Sequence, residues 1–414
     1  MIKVENPVDC CGCNACVLKC PRHCISMVDN NEGFWYPHVD EEACIHCGLC
    51  EKVCPQINIG NSSKPLGVYA LKHEDLKIQL NSSSGGAFSV LAEDVINNGG
   101  VVFGAAFDGK GNVVHEKVDN IKDLDKLRMS KYVQSHIGNS FREAERLLKN
   151  ENLVLFVGTP CQIHGLKLFL RKDYQNLLCV DFICHGVPSP KVWRQYLEET
   201  LSLGEKNSVS FFCSPRISKR NVLVKDIQFR NKSLGWKKFS FVLHYNLAEP
   251  TGDSEKNTVS SPLYTEHTVS ETLYENPYLR GFIHDLYLRP SCYECRNKGF
   301  RSGSDITMGD FWGIEKSYPE LYDANGVSCL MVNTKHGLQF LSRFEEQLQE
   351  VDYLKVLEYN PSIEKPVKYP PFRRLFFRFL GKIPFRYIVL GGLIYNKIFR
   401  FLNINKKYGK NSLC

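Results

Sequence analysis

The sequence predicts a chain of mixed α+β and α/β structure, in which a small cysteine-rich module precedes a larger, two-part α/β body. Two observations support this fold class. Ten of the 18 cysteines lie within the first 54 residues, which is typical of a small module built around its thiols. Farther along, apolar runs such as VLFVG and LLCVDFIC each precede a helical pattern, and buried strands alternating with helices indicate a parallel sheet.

The N-terminal module, residues 1–60, contains one cysteine pattern twice, in CCGCNACVLKCP and in CIHCGLCEKVCP. Each copy has the form C-x2-C-x2-C-x3-C-P, by which bacterial-type ferredoxins hold two [4Fe-4S] clusters, with the fourth cysteine of each run binding the other cluster. The pattern therefore predicts two crossed ligand sets: Cys10, Cys13, Cys16 and Cys54 for one cluster, and Cys20, Cys44, Cys47 and Cys50 for the other. The segment between the two copies is predicted to form a hairpin of ISMV and FWYPHV.

Other interpretations of these cysteines are weaker. Zinc sites require only C-x2-C pairs, without the third and fourth cysteine and the proline. A disulfide scaffold requires an oxidising compartment, whereas no signal peptide precedes the motif, so we expect a reducing, cytoplasmic location. Cys11 and Cys24 fall outside the pattern and are expected to be buried neighbours of the clusters rather than ligands.

The positive charge of the chain is confined to its C-terminus. The net charge is +7, yet from Glu364 onward 12 Lys and Arg face one acidic residue, which leaves 40 basic and 44 acidic residues elsewhere. A nucleic-acid partner for the body therefore has no support. Residues 361–414 form a basic amphipathic tail that is too interrupted to span a bilayer, which predicts peripheral contact with the inner membrane face or with a partner.

Residues 65–150 are predicted to form a strand (VYALKH), a helix (FSVLAEDVI) and a buried strand (VVFGAAF). A small-residue loop, Ser82, Ser83, Ser84, Gly85 and Gly86, opens the helix. Backbone amides at a helix N-terminus favour an anion such as a phosphate, although such runs often serve only as caps. Beside a ferredoxin module, a phosphate-bearing redox cofactor is the better interpretation.

Residues 151–330 contain two strand–helix units, followed by a predicted antiparallel meander at about 208–270. Cys161 and Cys184 fall at the carboxyl ends of the two strands, where ligands of α/β sheets gather. Together with Cys292 and Cys295, they predict a third [4Fe-4S] cluster; a zinc half-site or a redox dithiol remain alternatives. Three residues of SDITMGDFWG are expected either to line a cofactor pocket or to close the domain: Asp305, Asp310 and Trp312.

Several of these stretches together resemble the family of coenzyme F420 hydrogenase and dehydrogenase beta subunits, whose relatives include 7-hydroxymethyl chlorophyll a reductase. The resemblance covers roughly residues 1–330 and rests on NSSSGGAFSVL, SKYVQS, FVGTPCQIHGL, DFICHGVPSP and RPSCYECRNKGFRSGSDITMGDFWG. The chain is similar in particular to members from bacterial surface-polysaccharide gene clusters.

This resemblance implies a non-covalent FAD contacted by the Ser82–Gly86 loop and by SKYVQS, hence by Lys131, Tyr132 and Gln134. It implies that Cys161, Cys184, Cys292 and Cys295 bind a cluster near the flavin. The expected activity is an iron–sulfur flavoprotein oxidoreductase that accepts electrons from ferredoxin or a reductase and acts on an organic substrate or a deazaflavin-like coenzyme, in either direction. The alternative is a non-catalytic electron-transfer subunit of a larger redox complex.

Overall fold

The computed structural model describes residues 1–203, 222–248 and 264–408. The N-terminal module consists of α1 (Ala15–Lys19), β1 (Ile25–Asp29), β2 (Trp35–Val39) and α2 (Leu49–Lys52). The two strands form the predicted hairpin, with Ile25 opposite Val39. Each helix begins directly after a residue with positive φ, Asn14 at 68° and Gly48 at 71°, so both cysteine loops turn sharply before their helix.

The body begins with a segment that alternates strands and helices, as the apolar runs predicted. Its first part contains β3 (Gly67–Leu71), α3 (Leu76–Leu80), α4 (Ala87–Asn97), β4 (Val101–Phe107), β5 (Val113–Val118) and α5 (Ser140–Lys149). The next part contains β6 (Val154–Gly158), α6 (Pro160–Leu170), β7 (Leu177–Phe182) and α7 (Pro190–Leu203).

The predicted meander lies partly outside the described residues. Three of its strands are described, β8 (Val222–Asn231), β9 (Ser240–Ala248) and β10 (Tyr264–Thr272), and they form a separate antiparallel sheet. The chain continues through α8 (Pro277–Ile283), α9 (Pro290–Tyr293), β11 (Ile306–Asp310), α10 (Ile314–Ser317), β12 (Ser328–Val332), α11 (Lys335–Leu341), β13 (Gln349–Glu350), α12 (Tyr353–Tyr359), α13 (Arg373–Phe379) and α14 (Phe385–Tyr408).

One eight-stranded sheet organises the body, in the order β13-β3-β12-β11-β7-β6-β4-β5. Strands from residues 65–150 and from residues 151–330 interleave in it, so the two regions share a sheet. Because β12 runs antiparallel to both β3 and β11, and β11, β7, β6 and β4 are mutually parallel, five strands end at the same edge. The carboxyl edge therefore collects the loops after β3, β11, β7, β6 and β4.

The C-terminal region is built into the largest hydrophobic core. Phe376 of α13 and Phe385, Ile388 and Val389 of α14 are buried in one cluster with Trp193 of α7. Beyond Asn396 no described side chain of α14 is buried. Helix α14 runs without a break through Arg386 and Lys397, so these residues interrupt the apolar run, as predicted, but not the helix. None of the helices in the described residues combines the length and apolarity needed to cross a bilayer.

Candidate redox site

The cysteines of the N-terminal module line two cavities, each with about 350 Å³ of empty space. The inner cavity, which we name for its position beside the body, is lined by Cys10, Cys11, Cys13, Cys16 and Cys54. The outer cavity is lined by Cys20, Cys24, Cys44, Cys47 and Cys50. The partition of the repeat cysteines is the crossed one that the spacing predicts. Four thiols about each cavity are the donor set of a [4Fe-4S] cluster, so the residues present fit this cofactor.

The two cavities differ in their exposure. Around the outer cavity Cys47 is exposed, and so is Ile45, at 59%. A Cβ built on Gly48 would meet nothing closer than Glu51, at 3.8 Å, whereas one on Gly12 would lie 2.6 Å from Gln134 Nε2. The body therefore covers the loop of the inner cavity and leaves that of the outer cavity open to solvent.

Arg289 holds the inner loop against the body. Its Nε donates to the Cys10 carbonyl at 2.7 Å, and its Nη2 donates to the Trp35 carbonyl at 2.8 Å. Its Nη1 donates to Gln134 Oε1 at 3.1 Å, while Gln134 Nε2 donates to the Cys11 carbonyl at 3.2 Å. Gln134, which the resemblance assigns to FAD, thus lies at the inner cysteine loop.

The third set of cysteines gathers at the carboxyl edge of the large sheet. Cys161 follows β6 in the first turn of α6, Cys184 follows β7, and Cys292 lies in α9. The Val187 amide, three residues beyond Cys184, donates to Cys292 Sγ at 3.4 Å. Cys295 lies close enough to the other three thiols for its negative charge, when ionised, to raise the pKa of each of them.

Burial raises the pKa of Cys184 to about 11 and that of Cys292 to about 12. Binding of a metal group would therefore displace protons from these thiols. Nearby, Asn297 Nδ2 is buried without a hydrogen-bond partner, while Asn297 Oδ1 lies 2.7 Å from His164 Nδ1. An unused buried donor beside thiol ligands suits an N–H···S hydrogen bond to a cluster.

Cys11 connects the inner cavity with this third set. Its thiol is fully buried and packs against both Cys13 and Cys161. Gly165 of α6 lies directly against Cys13, because a Cβ on Gly165 would lie 2.9 Å from Cys13 Sγ. The loop of the inner cavity therefore rests directly on the helix that carries Cys161.

The Ser82–Gly86 loop lies between β3 and β12 at the same edge. Ser82 Oγ donates to the Ile78 carbonyl and Ser84 Oγ to the Val327 carbonyl, each at 2.8 Å. A Cβ on Gly85 would clash with the backbone of Leu71 and of β12, and Gly86 has a φ of 97°. The two glycines are thus needed for close backbone packing, and the N-cap of α4 is Gly86, which has no side chain to cap the helix.

A cluster of polar and aromatic groups adjoins this loop. Ser83 Oγ lies 3.0 Å from Ser130 Oγ, and Arg230 Nη2 donates to the Ser83 carbonyl at 3.0 Å. Arg230 also contacts Tyr132 Oη at 3.2 Å and both carboxylate oxygens of Asp310, at 3.0 and 3.1 Å. Its Nε is buried without a partner. We call Ser83, Ser130, Tyr132, Arg230 and Asp310 the arginine cluster.

Two lysines of this region donate to backbone carbonyls, but only Lys232 lies beside Arg230 and Asp310. Lys131 donates to the carbonyls of Lys126 and Arg128, and desolvation lowers its pKa to about 7. Lys232 donates to the Ser84 carbonyl at 2.8 Å, and burial lowers its pKa to about 8. Sequence reasoning missed Arg230 and Lys232, because they lie on and after β8, in a region without a recognisable motif.

Asp305 and Asp310 have different surroundings because they lie at opposite ends of β11. Asp305 Oδ2 accepts from the Cys179 amide at 2.8 Å and Asp305 Oδ1 from Thr334 Oγ1 at 2.6 Å. Asp305 thus closes the domain at the amino edge. At the carboxyl edge, Asp310 also accepts from Trp236 Nε1 at 2.7 Å, and Trp236 stacks on Trp312 at 4.8 Å.

Two family models match the chain. The 4Fe-4S dicluster domain matches residues 9–57, and the C terminus of the coenzyme F420 hydrogenase/dehydrogenase beta subunit matches residues 151–355. A solved structure of the F420-reducing [NiFe] hydrogenase complex from Methanosarcina barkeri aligns with 84% of this chain and 95% of its own at 15% identity, with a TM-score of 0.42.

Three curated proteins are similar to parts of the chain. The F subunit of F(420)H(2) dehydrogenase from Methanosarcina mazei is 22% identical over 198 residues, 44% of this chain and 56% of that protein. Coenzyme F420-dependent sulfite reductase of Methanocaldococcus jannaschii is 27% identical over 161 residues, 38% of this chain and 24% of that protein. The VorC subunit of ketoisovalerate oxidoreductase from Methanothermobacter marburgensis is 39% identical over 57 residues, 13% of this chain and 72% of that protein.

The chain thus spans about half the length of the first of these relatives and about a quarter of the sulfite reductase. The dicluster match covers both cysteine repeats, and the beta-subunit match covers the strands that carry Cys161 and Cys184 as well as the Cys292–Cys295 segment. The predicted family is confirmed: the chain belongs to the family of coenzyme F420 hydrogenase/dehydrogenase beta subunits and carries an N-terminal 4Fe-4S dicluster domain.

Proposed function

We propose that this protein is an FAD-dependent iron–sulfur oxidoreductase in which electrons pass from the outer to the inner cluster and then, through a third cluster, to a flavin. The observation that carries the proposal is the continuous series of thiols from exposed Cys47 to buried Cys11, which packs against Cys161. The outer cluster, open to solvent, would receive electrons from ferredoxin or a reductase.

A third [4Fe-4S] cluster is proposed at Cys161, Cys184, Cys292 and Cys295. In a four-iron cluster each thiol binds a different iron atom, which suits cysteines supplied by separate segments, after β6, after β7 and at and after α9. The buried, unused Asn297 Nδ2 supports the same assignment.

FAD is proposed to bind at the arginine cluster, with the Ser82–Gly86 loop, Lys131 and Tyr132 as contacts. The unpartnered Arg230 Nε and the nearby Lys232 ammonium suit an anionic or carbonyl-bearing cofactor. When bound, a flavin supplies the chemistry that joins one-electron clusters to a two-electron substrate reaction. The chain's aromatic residues link the two regions, since Phe282 stacks on Tyr132 at 4.5 Å and lies 5.1 Å from the ring of His185, next to Cys184.

The deciding experiment is anaerobic purification with iron, sulfide and flavin analysis. Three clusters predict about 12 irons per chain with one FAD released on denaturation. A Cys161→Ser/Cys295→Ser variant should retain about eight irons, and Cys179→Ser, a buried mid-strand thiol, serves as the control that retains all of them. Eight irons and no flavin in the unmodified protein would refute the proposal.

A non-catalytic electron-transfer subunit remains the second proposal, because two of the similar proteins are named as subunits. In that case the isolated chain should reduce dyes only, and affinity purification should yield a stable hetero-complex. A screen of deazaflavin coenzyme and NAD(P)H oxidation separates the two proposals. For an oxidoreductase, the resemblance to polysaccharide-cluster members makes a sugar or a lipid-linked glycan intermediate the first alternative substrate to test.

Peripheral contact with an anionic membrane surface is proposed for α14. Its buried stripe includes Phe385, Ile388 and Val389, whereas the opposite side exposes a second apolar stripe: Tyr387 57%, Leu390 43%, Ile394 52%, Ile398 53% and Phe401 64%. Exposed Lys397 and Arg400 flank this stripe, as in helices that lie in the lipid interface.

Vesicle sedimentation tests this contact. Ile394→Asp/Ile398→Asp should reduce binding to vesicles with anionic lipid about tenfold or more, whereas Leu338→Asp, at an exposed apolar site on α11, should not. Equal binding of all three proteins, or binding that ignores the lipid charge, would contradict the proposal. Deletion from residue 397 is the appropriate truncation, because deletion from residue 362 would remove core side chains.

A further inference from the structure

Arg289 is a buried cation for which the described residues provide no carboxylate. Its side chain is 0% exposed, and its hydrogen bonds go to the carbonyls of Cys10 and Trp35 and to the neutral carboxamide of Gln134. The other strongly buried arginines contact carboxylates: Arg128 pairs with Glu93, Arg230 with Asp310 and Arg373 with Glu32.

An unpaired buried charge is costly and is normally compensated by an opposite charge. The aromatic rings of Tyr36 and Phe34 also lie near the guanidinium, with centroids 4.4 and 5.4 Å from its carbon, but cation–π attraction offsets only part of this cost. The guanidinium lies directly against the cysteine loop, because a Cβ on Gly12 would lie 2.8 Å from Arg289 Nη1. When they hold a cluster, the thiolates of this loop would supply the negative charge that faces the guanidinium.

We infer that Arg289 is a positioning residue whose charge is matched by the inner cluster and raises the reduction potential of that cluster above that of the outer one. A positive charge in a low-dielectric setting favours the more negative, reduced state of the cluster. Among the described residues that line the outer cavity there is no buried arginine or lysine: Arg22 is exposed to solvent, the Gly48 position is open, and the N-terminal amine is already paired with Glu51. A reduction potential that is higher at the inner cluster than at the outer cluster favours electron flow from the solvent side toward the body. This inference rests on the proposed relay but not on its third cluster or flavin.

Redox titration followed by EPR tests the inference on the cluster-loaded protein. Arg289→Gln should lower the potential of one cluster enough to change the electron distribution between the two clusters at least tenfold, which is 59 mV for a one-electron couple. Arg289→Lys retains the charge and should change the distribution less than threefold. Arg142→Gln is the matched control, because Arg142 also contacts the module, through the Leu18 carbonyl, but lines neither cysteine cavity.

Gln134→Glu keeps Arg289 and adds a carboxylate against it, so it should lower the same potential even if Arg289→Gln does not fold. Gln134→Met is the control for Gln134→Glu: it removes the amide contact with Arg289 without adding a charge, so it should shift the potential less than Gln134→Glu does. The inference is overturned if Arg289→Lys shifts the potential as much as Arg289→Gln, or if neither Arg289→Gln nor Gln134→Glu shifts it. Because both module clusters titrate without FAD, absence of flavin would refute the proposed enzyme while leaving this measurement valid.

Discussion

The ion pair between Glu32 and Arg373 provides a direct test of how the N-terminal module is docked. Glu32 lies in the turn between β1 and β2, and its two oxygens accept from Arg373 Nη1 and Nη2 at 2.8 and 2.6 Å. Arg373 is 3% exposed and Glu32 24% exposed. Arg373 also donates to the Leu288 carbonyl at 2.9 Å. The helix α13 of the tail thereby fixes the hairpin of the module on the body.

The different burial of the two partners predicts unequal costs of their substitution. Glu32→Gln leaves a buried guanidinium without its counter-charge, which costs about 3–5 kcal/mol. Arg373→Met leaves a carboxylate that water can reach, so the main loss is the hydrogen bond to Leu288, about 1–3 kcal/mol. The double variant should cost little more than Arg373→Met, which gives a coupling energy of about 3 kcal/mol.

Hydrogen exchange of the segment from residue 30 to residue 35 measures the effect in the intact, cluster-loaded protein. Each 1.4 kcal/mol or so of lost docking energy speeds exchange through the open state about tenfold, so Glu32→Gln should lower protection roughly 100-fold or more. Glu41→Gln, an exposed carboxylate of the same module, is the control and should not change protection. Equal and additive losses below about 1 kcal/mol for Glu32→Gln and Arg373→Met would refute the argument, because that is the behaviour of a screened surface pair.

Three further predictions concern the body. Burial raises the pKa of Asp181 to about 6, so the folded chain binds this proton more tightly than the unfolded chain, and the stability that the proton contributes is lost as the pH rises through 6. Urea unfolding should therefore show that the stability of Asp181→Asn, relative to that of the parent, increases by about 1.4 kcal/mol between pH 5 and pH 7. Cys11→Ser should retain all iron while Cys161→Ser loses about four irons, measured by iron analysis; equal losses would make Cys11 a ligand. Asp310→Asn should lower the unfolding free energy by about 3–5 kcal/mol, because the buried Arg230 loses its counter-charge. Asp310→Leu/Arg230→Met, which removes both charges, should recover most of that stability. If the stability is not recovered, the pair has a role beyond charge compensation.

Local patterns were sufficient for the fold class and for most elements. The hairpin, the strands β4, β6 and β7 and the helices α4 and α6 lie where apolar periodicity predicted them. Such elements are encoded by neighbours in the sequence, since each strand or helix must bury one face or both. The placement of β12 between β3 and β11 was not predictable in this way, because strand order is a long-range choice.

The candidate site was predicted in part. The cysteines and the Ser82–Gly86 loop were found from spacing and composition, but Arg230, Lys232 and Arg289 were not. Their side chains acquire a role only through partners far along the chain, such as Ser83 for Arg230 and Cys10 for Arg289. Gln134 and Lys131 are near neighbours in the sequence, yet the Gln134 side chain contacts the inner cysteine loop, whereas the Lys131 ammonium donates to the carbonyls of Lys126 and Arg128.

The sequence by itself determined that this protein carries two four-cysteine repeats with crossed partners, since thiol spacing within a tight loop sets which sulfurs share a cavity. Only the tertiary structure decided which of the two cavities faces solvent and which is covered by Arg289 and Gln134. The same holds for the tail, whose composition predicts an amphipathic helix but does not show that one face is already used by the core. The physical reason is the same in both cases. Burial and charge compensation depend on contacts between segments that lie roughly hundreds of residues apart in the sequence and meet only when the large sheet of the body has formed.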